Sequence, residues 1–234
     1  MCGRYVLFGP PSRLVERFDL ASCPDFAPRW NIPPQTEVLV LRERPGVGRV
    51  GQLVKWGLVP SWAKDPSIGG KLNNARAEGI AGKPSFRSAF AKHRCLVPAN
   101  GFYEWTTLNE GGRVRKQPYY IRPREDGGFF AMAGLLARWR APDGQDLVTT
   151  CVITTGPNAV LAPIHDRMPV MLADADLEAW LDPDNHDTAA LEALLKPAPP
   201  EGMLAYPVSP AVSRAGTEGE ACITPLEPPE PRDD

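Results

Sequence analysis

The chain has 234 residues, 43% of them hydrophobic, which is enough to bury a core and too apolar for a disordered chain. No run of about 18 apolar residues is present to span a membrane, and the start, MCGRYVLFGPPS, has no apolar signal core. Net charge is −2, but residues 1–173 carry 23 Lys and Arg against 14 Asp and Glu (net +9), whereas residues 174–234 carry 3 against 14 (net −11). That asymmetry fits either a nucleic-acid-binding surface beside an acidic tail or two segments with differently solvated faces.

From the N-terminus, Pro11 to Leu20 places Leu14, Val15 and Phe18 at helical spacing and predicts a short amphipathic helix. The Pro-rich stretch CPDFAPRWNIPP reads as loop. Thr36–Glu43 and Val50–Val59 read as strands. The GxGxxG between them (Gly46, Gly48, Gly51) precedes a strand rather than a helix. It therefore lacks the helix N-terminus that a dinucleotide pyrophosphate needs, and it reads as a glycine-rich hairpin. Trp62–Gly70 is a polar loop, Leu72–Glu78 is extended, and a short helix follows around Ser85–Lys92.

Arg94–Trp105 has strand composition broken by Pro98 and Gly101. Gln117–Arg124, Phe129–Trp139, Leu147–Thr155 and Val170–Ala173 continue the strand pattern. Asp176–Leu181 and Thr188–Leu195 look helical, and from Lys196 the chain is Pro-rich. The 27 prolines and 21 glycines favour short strands over long helices. The expectation is one α+β domain over residues 1–227, mostly antiparallel sheet closed into a barrel-like core with peripheral helices, and a disordered Pro/acidic tail over 228–234.

The five cysteines, Cys2, Cys23, Cys95, Cys151 and Cys222, are odd in number and show no CxxC spacing. This argues against a disulfide framework and for a reduced setting, cytosolic or nuclear. Three scattered histidines leave no zinc spacing, Walker A and GxSxG motifs are missing, and no cofactor is implied.

Cys2 is the first candidate for chemistry. Loss of Met1 would leave an α-amine with pKa about 7.7–8 beside a thiol near 8.5. A 1,2-aminothiol has a specific partner, an aldehyde: the amine forms a Schiff base and the thiol closes a thiazolidine ring. Position alone favours a chance cysteine at a frayed end.

Glu104 lies in GFYEW, where an extended backbone puts Asn100, Phe102 and Glu104 on one face. A carboxylate among aromatics is desolvated and suits general acid/base work, unless it merely sits at an exposed strand edge. Asn74 and Arg76 share a face of LNNARAE. There Asn can polarise an oxygen and Arg can fork onto a phosphate, or both can be ordinary solvated side chains. His165 and Arg167 repeat the pattern in PIHDRMP, stiffened by Pro163 and Pro169. His165 is the histidine best placed for proton transfer.

Together these segments resemble the SRAP family, first called SOS response-associated peptidases and now abasic-site processing proteins. The motifs are MCGRY, WGLVPSW (Trp56–Trp62), NNARAE (Asn73–Glu78), RCLVPANGFYEW (Arg94–Trp105) and HDRMP (His165–Pro169), in family order over most of the chain. The resemblance implies the SRAP fold and covalent crosslinking to abasic sites in single-stranded DNA through a thiazolidine at Cys2. Lyase activity and autocatalytic loss of Met1 belong to the same expectation.

It further implies that Asn74 positions Cys2 and the sugar, that Glu104 is the general acid/base and that His165 assists proton transfer. Arg4, Arg76 and Arg167 would contact phosphates, and Trp56 and Trp62 would offer surfaces to bases. The expected partner is single-stranded DNA carrying abasic sites. The expected state is a monomer, cytoplasmic and nucleoid-associated when bound to DNA. An N-terminal cysteine peptidase and a non-covalent single-strand-binding module are the alternatives.

Overall fold

The computed structural model describes residues 2–124 and 128–226. In chain order the strands are β1 (Tyr5–Leu7), β2 (Arg29–Ile32), β3 (Glu37–Arg44), β4 (Gly48–Trp56), β5 (Asn74–Arg76), β6 (Arg94–Ala99), β7 (Gly101–Glu110), β8 (Arg113–Pro123), β9 (Phe130–Arg140), β10 (Asp146–Thr155), β11 (Met168–Pro169), β12 (Met171–Leu172) and β13 (Met203–Pro207). The helices are α1 (Pro11–Phe18), α2 (Arg87–Lys92), α3 (Leu177–Leu181) and α4 (Thr188–Ala193).

Strands β3, β4, β10, β9 and β6 hydrogen-bond in a closed ring, because β10 pairs with both β4 and β9 while β6 pairs with both β9 and β3. Only the β4–β10 pairing in this ring is parallel. Closure removes the exposed edges that an open sheet would leave. Outside the ring, β5 adds to β10 in parallel and β11 adds to it antiparallel. A second, antiparallel sheet runs β13-β8-β7-β1-β2. The α+β expectation, a barrel of mostly antiparallel strands with peripheral helices, describes this arrangement.

The alternation of apolar residues explains the core. Leu39 and Leu41 of β3, Leu96 of β6, Met132 of β9 and Ile153 of β10 are at most 2% exposed and belong to one apolar cluster. Helix α1 adds Leu14 and Phe18 to it, each burial worth about 1.5–3 kcal/mol. The helix begins on Pro11 and stops at Asp19, which takes a left-handed conformation with φ 50°. The glycine-rich segment is indeed the β3–β4 turn, with positive φ at Gly46 and Gly48.

The chain crosses from the barrel to the second sheet at Asn100, between β6 and β7. Gly101 is required there, since a Cβ would stand 2.3 Å from the ring of Tyr120. Asn100 Oδ1 accepts from the Phe8 N–H at 2.8 Å, so the junction is tied to the segment after β1.

Two expectations need correction, and one strand was not anticipated. The Pro-rich stretch after Cys23 is not all loop. Its Arg29–Ile32 part forms β2, an edge strand on β1, where flanking prolines remove no ladder bond. The Pro-rich region after Lys196 contains β13, the opposite edge strand, paired with β8. The strand expected at Val170–Ala173 is split: Met168–Pro169 joins β10 and Met171–Leu172 joins β9. The expected disordered tail, 228–234, lies outside the described residues.

Candidate active site

The segment Cys2–Leu7 runs antiparallel along β7, with Tyr5 opposite Phe102 and the Tyr103 N–H donating to the Arg4 carbonyl at 2.9 Å. That register carries Cys2 towards Glu104. The alternation expected for GFYEW holds: Phe102 packs in the same cluster as Cys2, and Tyr103 packs in a second cluster on the other face.

Glu104 is 2% exposed. Burial is the main reason its carboxyl is pushed up to about 7, with the nearby Asp166 charge adding to it. Cys2 is fully buried in the chain that carries Met1. Burial pushes its thiol well above the ordinary range, and the Glu104 charge pushes the same way. The thiol also approaches the Arg4 carbonyl at 3.9 Å.

Asn74 reaches the site from β5. Its Nδ2 donates to the Cys2 carbonyl at 2.8 Å, while its buried Oδ1 has no hydrogen-bond partner among the described residues. Strand β5 is held in place from behind. Trp56 Nε1 donates to the Asn73 carbonyl at 2.8 Å, and Gln35 Nε2 approaches Asn73 Oδ1 at 2.9 Å and the Gly69 carbonyl at 3.0 Å. Gly57, with φ +140°, leaves the space that Gln35 occupies, for a Cβ would stand 2.1 Å from its Nε2. On the far side, Lys83 Nζ donates to the carbonyls of Arg76 and Glu78.

His165 arrives on the loop between β10 and β11. Asn158 Oδ1 organises this loop by accepting from the N–H groups of Val160 and Leu161. His165 Nδ1 accepts from the Arg167 N–H at 3.0 Å, which assigns the proton of the neutral ring to Nε2. Nε2 stands 3.6 Å from Glu104 Oε2. Burial, above all, lowers the imidazole pKa, although Asp166 Oδ1 at 3.1 Å from Nδ1 opposes that shift. Cys2, Asn74, Glu104 and His165, four residues spread over the chain, thus meet at one place.

The residues expected at DNA behave differently from one another. Arg76 is exposed, two residues along β5 from Asn74. Trp62 is 57% exposed, with its Nε1 3.3 Å from the Pro84 carbonyl. The other three are turned inward. Trp56 is fully buried, edge-on to Tyr5 with ring centroids 5.4 Å apart, because an indole N–H inside the fold needs the acceptor that Asn73 supplies. Arg4 donates to Asn31 Oδ1 and the Val212 carbonyl, clamping the C-terminal segment onto β2. Arg167 forks onto Glu78 at 2.6 and 2.9 Å and donates to the Thr154 carbonyl, with its side chain only 12% exposed.

All three are engaged inside the fold: Trp56 fastens β5, Arg167 fastens the His165 loop, and Arg4 fastens the C-terminal segment. Sequence reasoning missed Gln35, Asn73, Glu78 and Thr154 as their partners. Asn73 and Glu78 lie inside NNARAE and were within reach. Gln35 gave no signal, since its positive φ is visible only in the fold.

Comparison with known proteins agrees with this geometry. A family model described as SOS response associated peptidase (SRAP) matches residues 1–215. The chain is 40% identical over 216 residues to abasic site processing protein YoqW of Bacillus subtilis, covering 91% of this chain and 94% of that protein. It is 33% identical over 232 residues to abasic site processing protein HMCES of Gallus gallus, covering 86% of this chain and 67% of that one. A crystal structure of a protein from Bacteroides thetaiotaomicron matches with TM-score 0.84 at 27% identity, over 97% of this chain and 100% of that chain.

Proposed function

Because the chain belongs to the SOS response associated peptidase (SRAP) family, we propose that it processes abasic sites in single-stranded DNA by bonding to them covalently through Cys2. The single observation that carries this reading is the meeting of Cys2 with Asn74, Glu104 and His165.

Hydrolysis of the Met1–Cys2 bond first frees the α-amine, and Cys2 Sγ, with Glu104 as base, is the chain's own nucleophile for that cleavage. The free amine attacks C1 of the ring-opened deoxyribose, an aldehyde, and gives a carbinolamine. Glu104, with a pKa of about 7, is divided between its acid and base forms near neutrality and can donate. It protonates the departing hydroxyl, which leaves as water, and a Schiff base forms. The Cys2 thiol then adds across the C=N bond. Sulfur bonds to C1, the thiol proton passes to the Glu104 carboxylate, and the C=N electron pair returns to the nitrogen, which keeps the proton it carried in the iminium. The net reaction is aldehyde plus aminothiol giving thiazolidine plus one water.

Asn74 Nδ2 fixes the Cys2 backbone during these steps, and its free Oδ1 accepts from a sugar hydroxyl. His165 Nε2–H steadies the Glu104 carboxylate as it gains and loses its proton. A Schiff base that escapes ring closure acidifies C2 of the sugar and permits strand cleavage by β-elimination, a lyase side reaction. Arg76 and Trp62 serve the DNA, as a phosphate contact and a stacking surface.

The test is a denaturing gel of processed protein with a single-stranded abasic oligonucleotide. A heat-stable shift that Cys2→Ala loses supports the proposal. Peptide cleavage without a shift points to a thiol peptidase, and a shift on native gels alone points to a passive binding module.

A further inference from the structure

The barrel opens at its other end on a cavity of about 580 Å³. Strand β10 runs past both places. Val148 lines the cavity and Thr154 lies beside the Arg167 clamp, six residues and about 20 Å further along the strand. The cavity is therefore separate from the Cys2 site. Its walls are apolar where Leu136, Val148 and Leu181 face it, and cationic at the rim, where Arg42 ends the β3 side and Lys92 and His93 end α2.

The charge there is not balanced. Four lining residues are Arg or Lys and two are acidic. One acid, Asp146, is already engaged by Arg138. Arg94 spends its guanidinium on five backbone carbonyls, among them those of Trp180 and Asp182; burial lowers its pKa, and the nearby Asp182 charge opposes that shift. Among the described residues neither Arg42 nor Lys92 has an ion-pair partner. Arg42 Nε is buried with no hydrogen-bond partner among the described residues. His93 reports the same field: burial, and then the charges of Lys92, Arg42 and Arg94, lower its pKa.

An apolar pocket with convergent cations, of this size and at a barrel mouth, has the character of a small-ligand site. The excess of about two positive charges matches a dianion. We propose that this cavity binds a small organic phosphate, with the phosphomonoester held by Arg42, Lys92 and His93 and the organic part laid against Leu136, Val148 and Leu181.

Calorimetric titration of the full chain with deoxyadenosine 5′-monophosphate, inorganic phosphate, deoxyadenosine and a phosphodiester oligonucleotide lacking terminal phosphate tests this. The monophosphate should saturate one site more tightly than inorganic phosphate, and deoxyadenosine should not bind. Arg42→Gln with Lys92→Ala should weaken the monophosphate by about tenfold or more, the cost of lost charged hydrogen bonds. The His93 ring signals in NMR should move to a higher pKa when the monophosphate is bound. The double variant should still crosslink abasic DNA at the wild-type rate, which keeps this site distinguishable from the Cys2 chemistry. Absence of saturable binding, equal affinity for deoxyadenosine or inorganic phosphate, binding undiminished in the variant, or binding of the oligonucleotide alone would each overturn the proposal.

Discussion

Asn74 Nδ2 donates to the Cys2 carbonyl across 2.8 Å, joining residues 72 positions apart in the chain. This bond anchors the reactive residue to a strand that is itself fastened to the barrel. Asn74→Ala should therefore slow adduct formation by about tenfold, the worth of one hydrogen bond of about 1.4 kcal/mol. Asn74→Asp should be slower still. A carboxylate cannot donate to the carbonyl, and its charge beside Glu104 would raise the Glu104 pKa further. Single-turnover rates on abasic single strands measure both, and an Asn74→Asp rate above that of Asn74→Ala would contradict the assignment.

Glu104→Gln should lower the crosslinking rate by about 10²–10⁴, the usual contribution of a general acid/base, and should remove any pH dependence that arises from a group titrating near 7. Binding of intact DNA should persist. A parallel loss of binding and rate would mark Glu104 as structural.

The same substitution has an opposite effect on stability. The Glu104 carboxyl rises from 4.5 to about 7 on folding, because burial disfavours the charged form. Below pH about 4.5 it is protonated in both states and costs nothing. Between about 4.5 and 7 the unfolded chain ionises while the folded chain resists, so wild-type stability declines as pH rises. Above about 7 the full cost, about 3 kcal/mol, is present. The Tm advantage of Glu104→Gln over wild type should thus grow from pH 5 to pH 8 in thermal melts, and a difference independent of pH would contradict the burial argument.

Arg76 and Arg167 should part company in salt titrations. Exposed Arg76 is placed to neutralise a phosphate, so Arg76→Ala should make the slope of log affinity against log salt shallower by about 0.7. Arg167 and Arg4 already hold internal partners. Arg167→Ala should leave that slope unchanged and instead slow the chemistry, since its guanidinium ties the His165 loop to Glu78 and Thr154. Equal slope changes in all three variants would restore the phosphate-contact reading for Arg4 and Arg167.

That division marks where the sequence stops being legible. Period-two alternation placed β3, β4, β9 and β10 correctly, and the short motifs singled out Cys2, Asn74, Glu104 and His165, because each motif states local geometry or distinctive chemistry. The sequence did not show which arginines and tryptophans face inward. An arginine beside a reactive motif looks the same whether it meets a phosphate or, like Arg167, a glutamate that tertiary folding brings beside it. Trp56 and Trp62 frame one motif, yet one is fully buried and the other 57% exposed, a difference set by packing against Tyr5 and Asn73. Strands β2 and β13 were hidden because prolines flank edge strands without breaking them.

Intact-mass and peptide mass spectrometry of the full chain after incubation with abasic single-stranded DNA and nuclease digestion tests the central claim most directly. The expected product is a Cys2-terminated peptide without Met1, carrying the sugar remnant with loss of one water and stable to heat. Cys2→Ala should yield no heat-stable adduct, and Cys2→Ser only a more labile one. A remnant attached anywhere other than Cys2, or a heat-stable adduct on Cys2→Ala, would contradict thiazolidine formation at the N-terminal cysteine.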